Sequence, residues 1–247
     1  MSDDLALLEG AISVAAALAA ASRPVEVVYL RQDKRDRETA ALTQQAQAAG
    51  ARVERVSAEA LDALASGKTH GGVLARVGPR RFVALETLGA DNPRPFVIML
   101  DGVEDPYNFG QAVRAFYAAG ADGLVVRPRN WMSAASVVAR ASAGASELIA
   151  TAVCETAEAA ADFARSRGWL VACADKDRAV SLYDADLTGP LFLLIGGEKR
   201  GVTRSFADRA DVRLRIPYGR RFRQALDTTS ASAVLAFEIM RQRGGAI

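Results

Sequence analysis

The sequence predicts an α/β protein in which a small α/β domain precedes a larger one, built on a parallel sheet with helices on both faces. Two observations predict the larger domain. Beyond residue 96, short apolar runs alternate with helical segments, and residues 191–195 are continuously apolar, as in a central strand. A third observation divides the chain, because GADNPRP at 89–95 has two prolines, a glycine and no hydrophobic period. We therefore expect domains at residues 1–88 and 96–247, joined by a linker at 89–95.

The first domain is expected to alternate helices and strands. Residues 5–21 are rich in alanine and predict a helix, and residues 25–30 predict a buried strand. A helix at 38–49 is closed by Gly50, a residue type that favours helix ends. The remaining expected elements are a strand at 52–56, a short helix at 58–65, and strands at 73–77 and 82–85.

The second domain reads as strands and helices in alternation. Strands are expected at 97–100, 123–126, 148–152, 169–174, 191–195 and 212–216. Helices are expected at 106–120, 133–141, 156–167 and 229–243, with a small-residue turn, SAGAS, at 142–146. This spacing is typical of a parallel sheet whose connections are helices.

Composition narrows the function classes. Half of the 247 residues are hydrophobic, enough for one large core or two modest ones. The early apolar run at 11–21 is shorter than the ~18 residues of a membrane span, and three acids precede it where an export signal needs positive charge. The two cysteines form no CxxC pair and there is one histidine, so we expect no metal site and no Ser-His-Asp hydrolase. A reduced, cytoplasmic protein is expected.

One strand-to-helix junction has more polar groups than a core needs. In LDGVEDPYNFGQAVRAFYAAG, at 100–120, Asp105 suits the N-cap and Pro106 the first helical position. Asn108 falls in the first turn, and Arg114 can reach back over Gly110, which has no side chain. We expect the side chains of Asn108 and Arg114 to meet at the opening of one site. The alternative is an N-capped surface helix whose arginine is merely solvated.

A glycine-rich turn follows the expected central strand. GGEKRG at 196–201 permits a sharp turn and a close approach of the backbone to a ligand, although a plain tight turn would look the same. A dinucleotide-binding enzyme would instead need GxGxxG after its first strand, and that motif is missing.

Positive charge is concentrated near the C-terminus. The chain has a net charge of only +2, yet residues 199–223 contain nine Lys or Arg against two acids. Phe206, Tyr218 and Phe222 are interleaved with these cations, a pattern that favours binding to a phosphate backbone over a plain solvated face. The candidate RNA-binding residues are Arg220, Arg221 and Arg223.

Three ordered segments resemble the motifs of the SpoU (TrmH) branch of the SPOUT RNA methyltransferases. They are DGVEDPYNFGQAVR at 101–114, GGEKRG at 196–201, and IPYG at 216–219 followed by ALDTTSASAVLAFE at 225–238. THGGVLA at 69–75 is similar to a signature of the small, ribosomal-protein-like α/β module that precedes the catalytic domain in many members. The resemblance implies a deep trefoil knot, which is a rare topology, a homodimer, and S-adenosylmethionine bound in the knot.

The resemblance also implies roles for single residues. Asn108 and Arg114 match the family's polar pair, and Glu198 matches the glutamate of the second motif. The positions that line the methyl donor, largely through backbone groups, are matched by Gly196, Ile216 and Leu226. Family accounts have the arginine remove the proton of a ribose 2′-hydroxyl. Because a guanidinium keeps its proton at neutral pH, we expect it to stabilise the developing oxyanion and to fix the geometry of attack.

The third motif departs from the family pattern. Where the family usually has Ser-Leu-Asn and then another serine, this chain has Ala225, Asp227 and Thr229 in place of the polar residues. Either this corner is rewired, with Thr228, Thr229 or Ser230 supplying a hydroxyl, or catalysis is weakened. We favour rewiring because the other motif residues are kept. Asp227 also suits the N-cap of the last helix, which is compatible with both alternatives.

The expected function is methylation of a ribose 2′-hydroxyl in structured RNA. Ribosomal RNA is the expected substrate because the N-terminal module resembles RNA-binding ribosomal proteins. Two alternatives stay open: a non-catalytic RNA-binding or ribosome-assembly factor on the same scaffold, and a transfer RNA methyltransferase. The sequence does not name the methylated nucleotide.

Apolar side chains on two helices predict a dimer through the second domain. Together they offer more apolar surface than one sheet face needs. These residues are Val234, Leu235, Phe237 and Ile239 of the last helix, with Phe116 and Tyr117 of the helix at 106–120.

Overall fold

The computed structural model describes residues 5–67, 69–128, 134–176 and 178–245. The chain divides into two compact units, Met1–Arg81 with Ser133–Leu148 and Phe82–Met132 with Ile149–Ile247. This division differs from the contiguous domains expected from the sequence, because residues 133–148 group with the N-terminal part of the chain. The positions of the functional domain boundaries stay a prediction.

The elements are numbered in chain order. The strands are β1 (Ala6–Glu9), β2 (Val25–Arg31), β3 (Arg52–Val56), β4 (Val73–Val77), β5 (Phe96–Asp101), β6 (Gly123–Val126), β7 (Thr151–Val153), β8 (Leu170–Ala174), β9 (Val180–Ser181), β10 (Leu191–Gly196) and β11 (Val212–Arg215). The helices are α1 (Ala11–Ala20), α2 (Arg37–Ala48), α3 (Ala58–Leu64), α4 (Pro106–Ala118), α5 (Ala135–Ala141), α6 (Ala145–Leu148), α7 (Ala157–Ser166), α8 (Arg204–Arg209) and α9 (Thr228–Gln242).

The first unit is built on a four-stranded mixed sheet. Strand β4 lies between β1 and β2 and runs antiparallel to both, while β3 pairs parallel with β2. Helices α5 and α6 belong to this unit. Ala139 of α5 packs in the same core as Leu8 and Val28, and a Cβ at Gly144 would lie 2.7 Å from the Cβ of Ala16. The close contact explains why a residue without a side chain precedes α6.

The second unit is built on a parallel seven-stranded sheet in the order β7-β6-β5-β10-β8-β11-β9. Strand β10 is the fourth of the seven, which confirms the central position predicted for residues 191–195. It lies beside β5, with Ile195 opposite Leu100 and Gly196 opposite Asp101. Because the strands are parallel, β5 and β10 end at the same edge of the sheet, where ligands bind in open α/β sheets.

Helices cover both faces of this sheet. On one face, Val97 of β5 packs in a core that includes Ala160 and Ala164 of α7. On the other face, the ring of Phe96 meets the ring of Phe116 of α4 edge-on, with their centroids 6.0 Å apart. Neighbouring strand residues point to opposite faces, so the continuous apolar run of β5 has helices to bury it on each side.

Three sequence predictions were wrong in extent. Residues 5–21 do not form one helix, because β1 pairs with β4 and Gly10, at φ 89°, separates it from α1. Residues 82–85 form no strand: Val83 makes a single bridge to Ala152, and a 3₁₀ turn follows at Leu85–Thr87. The strand expected at 148–152 is confined to Thr151–Val153, since residues up to Leu148 continue α6.

Three short elements, α6, β9 and α8, were not predicted, and α6 begins inside the turn expected at 142–146. Tertiary contacts stabilise β9 and α8, since β9 consists of two residues paired with β11 and α8 buries Phe206 and Ala207. Ser133, included in the helix expected at 133–141, lies outside the described residues. Within the described residues, no helix combines the length and the apolar character that crossing a membrane requires.

Candidate active site at the ends of two central strands

Glycines allow the loops after β5 and β10 to pack directly against each other. A Cβ at Gly197 would lie 1.8 Å from the carbonyl oxygen of Gly102, and a Cβ at Gly196 would lie 2.1 Å from the carbonyl carbon of Gly201. Real Cβ atoms do not approach backbone so closely. The Gly201 N–H donates to the Gly197 carbonyl at 2.7 Å and closes the turn. The sharp turn predicted for GGEKRG is therefore present, and the neighbouring backbone requires glycine at its first two positions, Gly196 and Gly197.

The start of α4 has the predicted cap. The Asp105 carboxylate accepts a hydrogen bond from the Asn108 backbone N–H at 2.8 Å, and Pro106 is the first helical residue. The Asn108 side chain then reaches the other loop, where its Nδ2 donates to Oε1 of Glu198 at 2.8 Å. The structure thus brings two predicted site residues, ninety positions apart in sequence, into direct contact.

Arg114 lies on the same helix and is exposed. In the described part of the chain it has no hydrogen bond or ion pair, so its guanidinium remains available for a ligand. Its position, six residues after Asn108, places the two Cβ atoms about 120° apart around the helix axis. Only the length of the arginine side chain can bridge that gap, and the meeting of the two groups stays a prediction.

Two further ion pairs flank these residues and were not singled out from the sequence. Arg127, just after β6, pairs with Asp101 at 2.8 Å, and burial raises the pKa of Asp101 although Arg127 opposes the rise. Lys199 pairs with Glu104, and its hydrogen bond lowers the pKa of that exposed carboxyl. Asp101 and Arg127 stand at the carboxyl ends of neighbouring strands, a positional signal that could have identified them.

The residues expected to line the methyl donor lie at three chain turns of the second unit. Gly196 ends β10, Ile216 follows β11, and Leu226 precedes the N-cap of α9. Ile216 is partly buried, whereas Leu226 is exposed. The position that a Cβ would take at Gly196 is occupied by the backbone of Gly201 and Val202, so this glycine is required by the tight turn itself. The role of Gly196, Ile216 and Leu226 in donor binding stays a prediction.

The structure explains part of the third motif, which departs from the family pattern. Asp227 is the N-cap of α9: its carboxylate accepts from the Ser230 N–H at 2.8 Å and from the Ser230 hydroxyl at 2.6 Å. These hydrogen bonds lower the pKa of Asp227. Ser230 is therefore committed to the cap. By contrast, the buried Oγ1 of Thr229 has no hydrogen-bond partner among the described residues, so Thr229 fits a hydroxyl held for a ligand better than Ser230 does.

The basic segment divides into structural and unpaired cations. Arg213 binds Asp208 at 2.6 Å and Arg209 binds Asp162 at 2.9 Å, so both are already paired within the chain. The three candidate RNA-binding residues are exposed, and within the described ranges no hydrogen bond or ion pair engages them. They are Arg220, Arg221 and Arg223.

The described residues also contain no group of three or more His, Cys, Asp or Glu side chains arranged to hold a metal ion. The expectation of a reaction without metal stays a prediction. Both cysteines are free thiols, and burial raises the pKa of Cys173 to about 12, which makes it unreactive.

Comparison with known proteins identifies the family of this chain. Residues 95–237 match the SpoU rRNA Methylase family, and residues 7–83 match the RNA 2′-O ribose methyltransferase substrate binding domain. The chain is 32% identical over 220 residues to the 23S rRNA (guanosine-2′-O-)-methyltransferase RlmB of Shewanella oneidensis, covering 87% of this chain and 89% of that one. It is 31% identical to the same enzyme of Ralstonia nicotianae, covering 96% of each chain.

The fold has solved counterparts. The SpoU methyltransferase AviRb from Streptomyces viridochromogenes, crystallised with AdoMet, superposes with a TM-score of 0.80 at 20% identity, covering 99% of this chain and 92% of that one. At this identity the likeness concerns the fold. The family match covers more than half of the chain and includes both loops of the candidate site. The chain belongs to the SpoU rRNA methylase family.

Proposed function

We propose that this protein transfers the methyl group of S-adenosylmethionine to a ribose 2′-hydroxyl of ribosomal RNA. The observation that supports this most is the Asn108–Glu198 contact, which joins the loops after β5 and β10 at the ligand-binding edge of the sheet. Exposed Arg114 lies on the same helix as Asn108. The relatives, which match over most of the chain, are named for 2′-O-methylation of guanosine in 23S rRNA.

In the proposed reaction, the sulfonium of the donor supplies an activated methyl group, so the protein mainly positions the attacking oxygen. Glu198 holds the Asn108 amide in place through the 2.8 Å hydrogen bond. The Arg114 guanidinium, which is free of protein partners in the described chain, would stabilise negative charge on the 2′-oxygen as the oxygen–methyl bond forms and the sulfur–methyl bond of the donor breaks. The hydroxyl proton would pass to solvent water, because a guanidinium does not accept it. Backbone groups near Gly196, Ile216 and Leu226 hold the donor.

The fold-level part of the proposal is a trefoil knot and an RNA-binding N-terminal domain. Strand β10 lies between β5 and β8, which both come earlier in the sequence. A late segment that enters the middle of the sheet supports the knot. The match of residues 7–83 to the substrate-binding family supports the N-terminal role. A cytoplasmic location follows from the proposed rRNA substrate.

A homodimer is also part of the proposal, on a smaller surface than the sequence predicted. Leu235, Ile239 and Phe116 are fully buried within the chain, where α4 and α9 pack on each other, so they are not available to a partner. Phe237 and Tyr117 remain 46% and 39% exposed and support a second copy docking there. Sedimentation that shows a monomer at micromolar concentration would contradict the dimer.

The proposed function is tested by methyl transfer from labelled S-adenosylmethionine. Ribosomal RNA from a strain that lacks this gene should accept label at a ribose 2′-hydroxyl, and the modified nucleotide can be mapped in that RNA. Label in transfer RNA alone would indicate the transfer RNA alternative. A chain that neither transfers label nor binds the donor in calorimetry would be an RNA-binding or assembly factor.

A further inference from the structure

The loop between β11 and α9, residues 216–227, exposes a pair of aromatic rings. Tyr218 is 40% exposed and Phe222 is 59% exposed. Their centroids lie 6.1 Å apart and the rings are tilted by 51°. Rings of this size are usually buried, so their joint exposure in a loop leaves flat apolar surface for a ligand.

A hydrogen bond from backbone to side chain fixes Tyr218, one ring of this pair, beside the expected donor site. The Tyr218 hydroxyl accepts a hydrogen bond from the Leu226 N–H at 3.1 Å. Leu226 is one of the three residues that the proposed function places against the methyl donor. Whatever stacks on Phe222 is therefore held close to the residues that line the donor.

The charges around the aromatic pair identify the kind of ligand. Arg220, Arg221 and Arg223 flank Phe222 in sequence and are exposed without a protein partner in the described ranges. Asp227, the first acid after them, is committed to Ser230 by two hydrogen bonds. Aromatic rings interleaved with unpaired cations bind single-stranded nucleic acid, because bases stack on the rings while the cations follow the phosphates.

We propose that Phe222, supported by Tyr218, stacks on an unpaired RNA base adjoining the nucleotide that receives the methyl group. This inference rests on the proposed function and narrows its substrate to RNA with the target in a loop, bulge or single strand. A paired base inside a helix is stacked on both sides and offers no face to Phe222. Arg220, Arg221 and Arg223 hold the backbone on either side of the stacked base.

The test compares two substitutions at Phe222 in the full-length chain. Phe222→Leu keeps apolar bulk without a ring, and Phe222→Trp keeps a ring. The probes are a fluorescent RNA single strand of about twelve mixed-sequence nucleotides and the same strand annealed to its complement. Phe222→Leu should bind the single strand about tenfold more weakly and the duplex unchanged, whereas Phe222→Trp should stay within about twofold of wild type on both.

Salt dependence separates stacking from phosphate contacts. Phe222→Leu should keep the wild-type slope of log Kd against log salt concentration, because stacking releases no counterions. Replacing the three arginines by alanine should reduce that slope by about two, while Arg209→Ala, whose guanidinium binds Asp162, should leave it unchanged. Wild-type binding of the single strand by Phe222→Leu, or an equal loss on single strand and duplex, would overturn the stacking role.

Methyl transfer distinguishes this inference from the function on which it rests. If the wild type transfers no methyl group to any RNA, yet Phe222→Leu loses affinity for the single strand, the stacking of Phe222 on unpaired RNA stands, whereas its place beside a methylated nucleotide falls together with the proposed function. If the wild type methylates ribosomal RNA while Phe222→Leu binds the single strand normally, the proposed function stands and the stacking role falls.

Discussion

Two glutamates, one in each unit, use their carboxylates in opposite ways. Glu147 of the first unit is fully buried and binds the guanidinium of Arg23 through two hydrogen bonds of 3.0 Å. It also accepts from the Ser22 hydroxyl at 2.5 Å and pairs with Arg80 at 3.3 Å. Glu198 of the second unit is exposed, and among the described residues its carboxylate accepts one hydrogen bond, from the amide of Asn108.

The difference separates charge that holds a fold from charge that the described fold leaves exposed. Burial lowers the pKa of Arg80 to about 10, so it still carries its charge at neutral pH beside Glu147. Removing one partner of such a buried group leaves an uncompensated charge, at about 3–5 kcal/mol. Removing one partner of an exposed pair lowers the free energy of unfolding by about 1 kcal/mol or less. Glu198 and Arg114 therefore have bonding capacity that the folded chain does not use.

The largest expected effect is on stability and tests this contrast directly. Glu147→Ala should lower the free energy of unfolding by about 3–5 kcal/mol, because Arg23 would stay buried without the carboxylate that binds it. Glu198→Ala, the matched control in the second unit, should lower it by about 1 kcal/mol or less. Urea unfolding followed by circular dichroism measures both. Equal losses in the two variants would remove the distinction.

The next effect concerns catalytic activity, for which the exposed site residue is expected to matter and the buried ion pair is not. Arg114→Ala should abolish methyl transfer, a loss of at least about a hundredfold or 2.7 kcal/mol in the barrier, while the unfolding midpoint and the donor affinity change little. The unfolding midpoint should change little because Arg114 is exposed and makes no hydrogen bond or ion pair with the described residues.

Arg114→Lys sharpens the interpretation of that result. Lysine keeps the charge but lacks the planar fork of donors, so a nearly inactive lysine variant would favour geometry over bare electrostatics. Transfer by Arg114→Ala within about threefold of wild type, roughly 0.7 kcal/mol, would show that the arginine is not part of the reaction.

The contrast also explains what could be read from the sequence. The cap of α4 and the central position of β10 were predictable, because cap chemistry and a continuous apolar run are local signals. The motif resemblance pointed to Asn108 and Glu198, which the structure joins. Glu147 had no such signal, since Arg23 is 124 positions away and nothing local marks a buried acid.

The errors at the N-terminus have the same origin. Residues 5–21 look helical because alanine dominates them, yet the first few form β1, since pairing with β4 outweighs local propensity. The prediction that Leu235 and Ile239 are free for a partner was wrong, since both are buried where α9 packs on α4. That packing cannot be read from the sequence of one helix alone. Tertiary partners therefore limited the prediction wherever the deciding contact lay far along the chain.

The smallest expected effect lies at Asp227, an exposed acid that serves the fold instead of a ligand. Asp227→Ala should cost about 1 kcal/mol of stability through loss of the α9 cap, while Asp227→Asn keeps a capping oxygen and should cost less.

Hydrogen bonds from Ser230 lower the pKa of Asp227 in the folded chain, so its stabilisation is present above the unfolded pKa, near 4, and is lost as pH falls through the folded value. The difference in unfolding midpoint between wild type and Asp227→Asn should therefore shrink as pH falls below about 4. A difference that stays constant from neutral pH down to this range would show that the charge of Asp227 does not contribute to the cap.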